Sequence, residues 1–76
     1  MGRSERAQAL FVSHLQPSQQ PRPDQVAAAI EESLRRWGSA GCAAATAAEY
    51  GEHPDTAASR MRWALAVTPL LEPLIV

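Results

Sequence analysis

The stretch Glu49-Tyr50-Gly51-Glu52-His53-Pro54-Asp55-Thr56-Ala57-Ala58-Ser59-Arg60-Met61-Arg62-Trp63-Ala64 decides the architecture of this chain. Gly51 closes an alanine-rich run, as a glycine often does in a left-handed C-terminal position. Pro54 suits the first turn of a following helix, where its missing N–H leaves nothing unpaired, and Asp55 adds negative charge at the positive end of the helix dipole. The new helix is predicted to run to about Val67 and to stop at Thr68-Pro69, because a residue before proline disfavours helix. Within it Ala57, Met61, Ala64 and Leu65 share one apolar stripe. Asp55, Thr56, Ser59, Arg62 and Trp63 point away from that stripe, and Arg60 lies on its flank. Two helices about a short glycine-containing turn make a helix-turn-helix, placed at residues 42–67.

Upstream, Ala43 to Tyr50 is almost all alanine, the best helix former and one that permits close approach of a neighbouring helix. Before it, Val26, Ile30, Leu34 and Trp37 recur at four, four and three residues and predict a buried helical face. Pro23 and Asp24 open that helix, Arg35 and Arg36 fall in its last turn, and Gly38 and Gly41 punctuate its end. Ala7, Leu10, Phe11 and Leu15 give residues 4–16 an amphipathic helix that Pro17 stops. Residues 17–23, rich in proline and glutamine, read as a linker. The expected fold is one all-α domain over residues 1–76. It is a four-helix bundle: a three-helix core at 24–68 holding the helix-turn-helix, plus the N-terminal helix. Residues 69–76 form an apolar tail whose Leu70, Leu71, Leu74, Ile75 and Val76 require cover.

Composition narrows the function. A chain of 76 residues has a thin core, and 46% apolar content with a net charge of −1 fits a folded domain. All seven cations are arginines, which with the many alanines fits a GC-rich bacterial genome. The lone Cys42 forms no intramolecular disulfide and reads as a packed thiol. Arg3 and Arg6 lack the apolar run of a signal peptide behind them, and the tail is too short to span a bilayer, so the expected address is the cytoplasm. His14, Cys42 and His53 are too widely separated for a recognised zinc pattern. Adjacent Glu31 and Glu32 point in different directions around their helix, not toward one another as an acid–base couple. No enzyme activity, cofactor or metal is expected.

The run Thr56-Ala57-Ala58-Ser59-Arg60-Met61-Arg62-Trp63-Ala64, after Glu49-Tyr50-Gly51-Glu52-His53-Pro54, resembles the helix-turn-helix in the fourth conserved region of bacterial sigma factors and in related response-regulator DNA-binding domains. Gly51, Thr56, Ala57, Ser59, Arg60 and Met61 match that pattern in register, with Ala47 in the small-residue place upstream. The likeness covers residues 42–66. It implies a three- or four-helix fold whose last helix enters the major groove, with Thr56, Ser59 and Arg60 touching DNA and Arg62 nearby. The chain departs from the pattern in its alanines where bulkier apolar residues are usual and in Glu52 where an apolar residue is common. No core-polymerase-binding region precedes the motif, so a complete sigma factor is not expected.

Two functions follow. The preferred one, favoured by the register of the motif, is a small bacterial transcriptional regulator that binds double-stranded DNA through Thr56, Ser59, Arg60 and Arg62. The other is a protein–protein interaction module of helix-turn-helix shape that grips a partner, such as a transcription protein, or a second copy of itself. Residues 39–68 hold Glu49, Glu52 and Asp55 against Arg60 and Arg62, a weak footprint for phosphate, which favours the second. Leu10, Phe11, Trp63, Leu71 and Leu74 are the candidate interface residues, and a homodimer is the expected assembly. The plainer reading of Arg60 and Arg62 is a solvated face paired with Asp55 or Glu52. Trp37 is expected in the core and Trp63 packed.

Overall fold

The computed structural model describes residues 2–68, and these are all helix and connecting turns, with no strand among them. Helix α1 spans Arg3–Phe11, α2 spans Pro23–Glu52 and α3 spans Pro54–Val67, with a short 3-10 turn at Pro17–Gln19. None of these helices is long and apolar enough to cross a membrane. The tail expected at residues 69–76 lies outside the described residues.

Helix α1 is the centre of the fold and not an appendage to a core at 24–68. Arg6, Ala7, Ala9, Leu10 and Phe11 are all buried, so α1 presents buried positions around most of its circumference. A helix buried on more than one face lies between neighbours, and α1 packs on both α2 and α3. Its Ala7 and Leu10 join Leu15, Val26, Ala29, Ile30, Cys42 and Ala64 in one cluster, against which Met61, Trp63 and Leu65 pack partly buried.

Helix α1 also ends earlier than expected, at Phe11, with Val12 as its C-cap. Pro17 is not what stops it. The Ser13 hydroxyl donates to the Leu10 carbonyl at 2.6 Å, and the chain turns back to bury Leu15 in the core. Three N-terminal ends share one local device: the side chain three residues on accepts a hydrogen bond from the preceding N–H. Glu5 does this for Gly2, Gln19 for Gln16 and Gln25 for Arg22, each pairing a donor that helix formation leaves free.

Helix α2 is two arms across a kink. Gly38 has φ 71° and ψ 171°, a conformation open essentially to glycine alone. The first arm, residues 23–37, buries Val26, Ala29, Ile30 and Ser33; the second, residues 39–52, buries Cys42 and Thr46. The Cys42 thiol donates to the Ser33 carbonyl at 3.7 Å, which ties the arms across the kink, and Thr46 Oγ1 donates to the Cys42 carbonyl at 2.8 Å. The kink also brings Trp37 over Gly41: a Cβ at position 41 would lie 2.9 Å from the Trp37 Cβ.

Two expectations on α2 are corrected here. Trp37 is 49% exposed and lies outside the core, because the apolar face tapers through half-buried Leu34 to the kink. Gly51 is helical and does not end the run; among the described glycines, positive φ is confined to Gly38. The helix continues to Glu52 and stops at His53, whose position before Pro54 disfavours helix. The second arm and α3 are thus joined through a single non-helical residue.

Candidate interaction surface at the α2–α3 corner

Helix α3 presents the two faces its sequence predicts. Ala57 and Ala64 are buried and Met61 and Leu65 half-buried, while Asp55, Thr56, Ser59 and Arg62 are exposed. Thr56, Ser59 and Arg62 therefore share the outward side of the helix. Trp63 is half-buried against the core.

Arg60 does something else. Its Nε donates to the Phe11 carbonyl at 2.8 Å, and its Nη2 donates to the carbonyls of Ser13 at 3.1 Å and Leu15 at 2.8 Å. Its Cζ lies 5.8 Å from the Phe11 ring centroid and 5.0 Å from that of Trp63. A cation from α3 thus closes the negative C-terminal end of α1, taking up the last helical carbonyl at Phe11 and pinning the following turn through the carbonyls of Ser13 and Leu15. Partial burial lowers the Arg60 pKa by desolvation of the charged form. Neither pairing expected for it, with Asp55 or Glu52, is the contact it makes. Arg62 stays exposed.

With Arg60 turned inward, the corner between the second arm and α3 is acidic. Glu49, Glu52 and Asp55 are all exposed there. Glu52 approaches His53 Nε2 at 4.0 Å; the Glu49 carbonyl accepts from the His53 N–H at 2.7 Å, and its carboxylate makes no hydrogen bond or ion pair among the described residues. Between this corner and the end of α1 lies an open cleft of about 520 Å³, with Phe11, Val12, Ala45, Ala48 and Ala57 as its apolar lining and Ser13, Gln16, Glu49, Thr56 and Arg60 as its polar lining. A second cleft, bounded by Pro17, Asp55, Ser59 and Trp63, meets the first at Gln16, Thr56 and Arg60. Tyr50, 39% exposed, stacks on Phe11 with ring centroids 6.2 Å apart.

Of the candidate interface residues, Leu10 and Phe11 belong to the intramolecular core, at 0% and 4% exposure. Leu71 and Leu74 lie outside the described residues. His14 and His53 are exposed and Cys42 is buried; among the described residues no three histidine, cysteine or carboxylate side chains converge as metal ligands. Burial pushes the Cys42 thiol pKa up, away from the reactive thiolate. Sequence reasoning missed the inward turn of Arg60. Its one visible signal was the flank position, three residues from Trp63 on a helix that must cross α1.

Compared with family models, curated proteins and solved structures, the chain matches none.

Proposed function

We propose that this chain is a protein-interaction module of helix-turn-helix shape, binding through the surface around the second arm of α2 and the N-terminal half of α3. The observation that carries this reading is the inward hydrogen bonding of Arg60. It commits the guanidinium of the more central of the two arginines of α3 to carbonyls of its own chain and leaves Glu49, Glu52 and Asp55 exposed beside a cleft of mixed apolar and polar lining. Proteins that bind nucleic acid mainly through phosphate contacts need a clustered cationic face. A cleft whose walls mix apolar side chains with hydrogen-bonding groups suits a protein segment better.

A second reading, DNA binding, is favoured by the shared exposure of Thr56, Ser59 and Arg62 on one face of α3, where a recognition helix carries its base contacts. An NMR titration of the labelled chain with a mixed-sequence duplex at about 50 mM and about 200 mM salt separates the two. The protein-binding reading expects an unmoved spectrum at the lower salt. Shifts on residues 55–63 that fade at the higher salt would overturn it in favour of DNA.

A further inference from the structure

The two clefts at the corner meet along one ridge. Thr56 and Arg60, one turn apart on α3, line both. On one side of this ridge the cleft of about 520 Å³ sets Val12, Ala45 and Ala48 beside Glu49. On the other side a cleft of about 560 Å³ sets Pro17 and Trp63 beside Asp55. Each cleft therefore repeats the same chemistry, apolar surface with one carboxylate. Glu5, Asp24, Glu32 and Glu52 all engage a partner within the chain. The carboxylates of Glu49 and Asp55 engage none among the described residues.

The neighbouring cations leave this charge standing. Of the residues lining the two clefts, only Arg60 is an arginine, and Arg62 lines neither. The Arg60 Nε and Nη2 donate to the carbonyls of Phe11, Ser13 and Leu15, at the end of α1 where the helix dipole is negative. Those carbonyls offset the guanidinium charge where it sits, so Glu49 and Asp55 set the sign of the two clefts.

We infer that the occupant of these clefts is a segment of a partner protein that carries two basic side chains, one entering each cleft on either side of the Thr56–Arg60 ridge. This deepens the protein-binding reading and rests on it. Arginine and lysine have the matching form, a long apolar stem ending in a charge. The stem lies on Val12, Ala45 and Ala48 in one cleft, or on Pro17 and Trp63 in the other, and the head reaches the carboxylate. A wholly apolar side chain would take water from Glu49 or Asp55 and return no partner, and an acidic one would add repulsion. The same sign disfavours a phosphate backbone. Both carboxylates are exposed, so each pairing is modest and weakens with salt, and binding depends on filling both clefts.

Selection of random linear peptides against the immobilised full chain tests this. The expected winners carry at least two arginines or lysines among apolar residues, and they shift the amide signals of Ala45, Ala48, Glu49, Thr56 and Ser59 in the labelled chain. Glu49→Gln and Asp55→Asn each weaken their binding about three- to fivefold, and the double variant about tenfold or more. Both positions are exposed, so helical circular dichroism stays at the wild-type level. Repeating the selection on Glu49→Lys enriches peptides that bear aspartate or glutamate, a reversal that loss of folding could not mimic. Winners without basic residues, or winners that bind the double variant like wild type, overturn the assignment and leave the protein-binding reading standing. A selection that enriches no peptide overturns it as well. The DNA titration decides the broader reading separately.

Discussion

Replacing Arg60 by alanine frees the end of α1 and the turn that follows it. Three charge-assisted hydrogen bonds disappear, to the carbonyls of Phe11, Ser13 and Leu15, together with the contacts on the Phe11 and Trp63 rings. A buried bond to a charged group contributes about 1.5–3 kcal/mol. Arg60 is half-buried, and solvent screening reduces each bond to about 1 kcal/mol, for a loss of about 3 kcal/mol. A domain of this length holds roughly 4–11 kcal/mol in total, so the variant forfeits a large part of its stability. In a thermal melt the midpoint falls by about 12–24 °C. The assay is urea unfolding followed by far-ultraviolet circular dichroism, with Arg62→Ala as the exposed control on the same helix. Arg60→Lys keeps the charge but not the planar fork, and it recovers about half of the loss. The reasoning is refuted if Arg60→Ala and Arg62→Ala unfold within about 0.5 kcal/mol of each other.

Gly38→Ala costs about 1–3 kcal/mol through backbone strain alone, since no side chain lies within 4 Å of the added methyl; a wild-type urea midpoint would show that the kink relaxes into plain helix. Gly51→Ala does the opposite. The position is helical with open space around it, so stability rises by about 0.5–1 kcal/mol, and a decrease would mean that the residue is not helical in solution. The Cys42 thiol is unreactive to a thiol reagent in the native chain and reacts on unfolding. Its pKa is raised in the fold from the ordinary 9.0. Its contribution is therefore fully present below that value and lost as pH rises through the higher folded one. Comparing Cys42→Ala with wild type above pH 9 checks the sign. Leu10→Ala, at a fully buried site in the central helix, loses about 2–5 kcal/mol, against less than about 1 kcal/mol if α1 were a detachable addition.

Local signals in the sequence carried the helices well. Pro23-Asp24 and Pro54-Asp55 open α2 and α3 where their backbone chemistry requires. The alternation of Ala57, Met61, Ala64 and Leu65 with Asp55, Thr56, Ser59 and Arg62 separated the two faces of α3. What the sequence concealed were contacts between distant segments. Periodicity gives α1 an apolar stripe, but it cannot tell a helix packed on one side from one enclosed by two neighbours, since alanines serve both. The end of α1 depends on an arginine 49 positions away. Trp37 continued the buried spacing of Val26, Ile30 and Leu34, yet the turn at Gly38 takes it out of the core. For the same reason the candidate surface was only half visible. The exposure of Thr56, Ser59 and Arg62 and the acidic run Glu49, Glu52 and Asp55 follow from spacing along the chain, whereas the cleft arises where α1 meets the second arm of α2 and α3.

The break at Gly38 divides α2 into parts of unequal depth. The first arm buries four side chains; the second buries Cys42 and Thr46 and is flanked by open clefts. Segments with few buried apolar groups open without global unfolding. Amide protons of residues 43–52 should therefore exchange with solvent well before those of α1, although both are regular helix. Hydrogen exchange would then register the break as a step in protection along one chain segment, falling on either side of a single glycine.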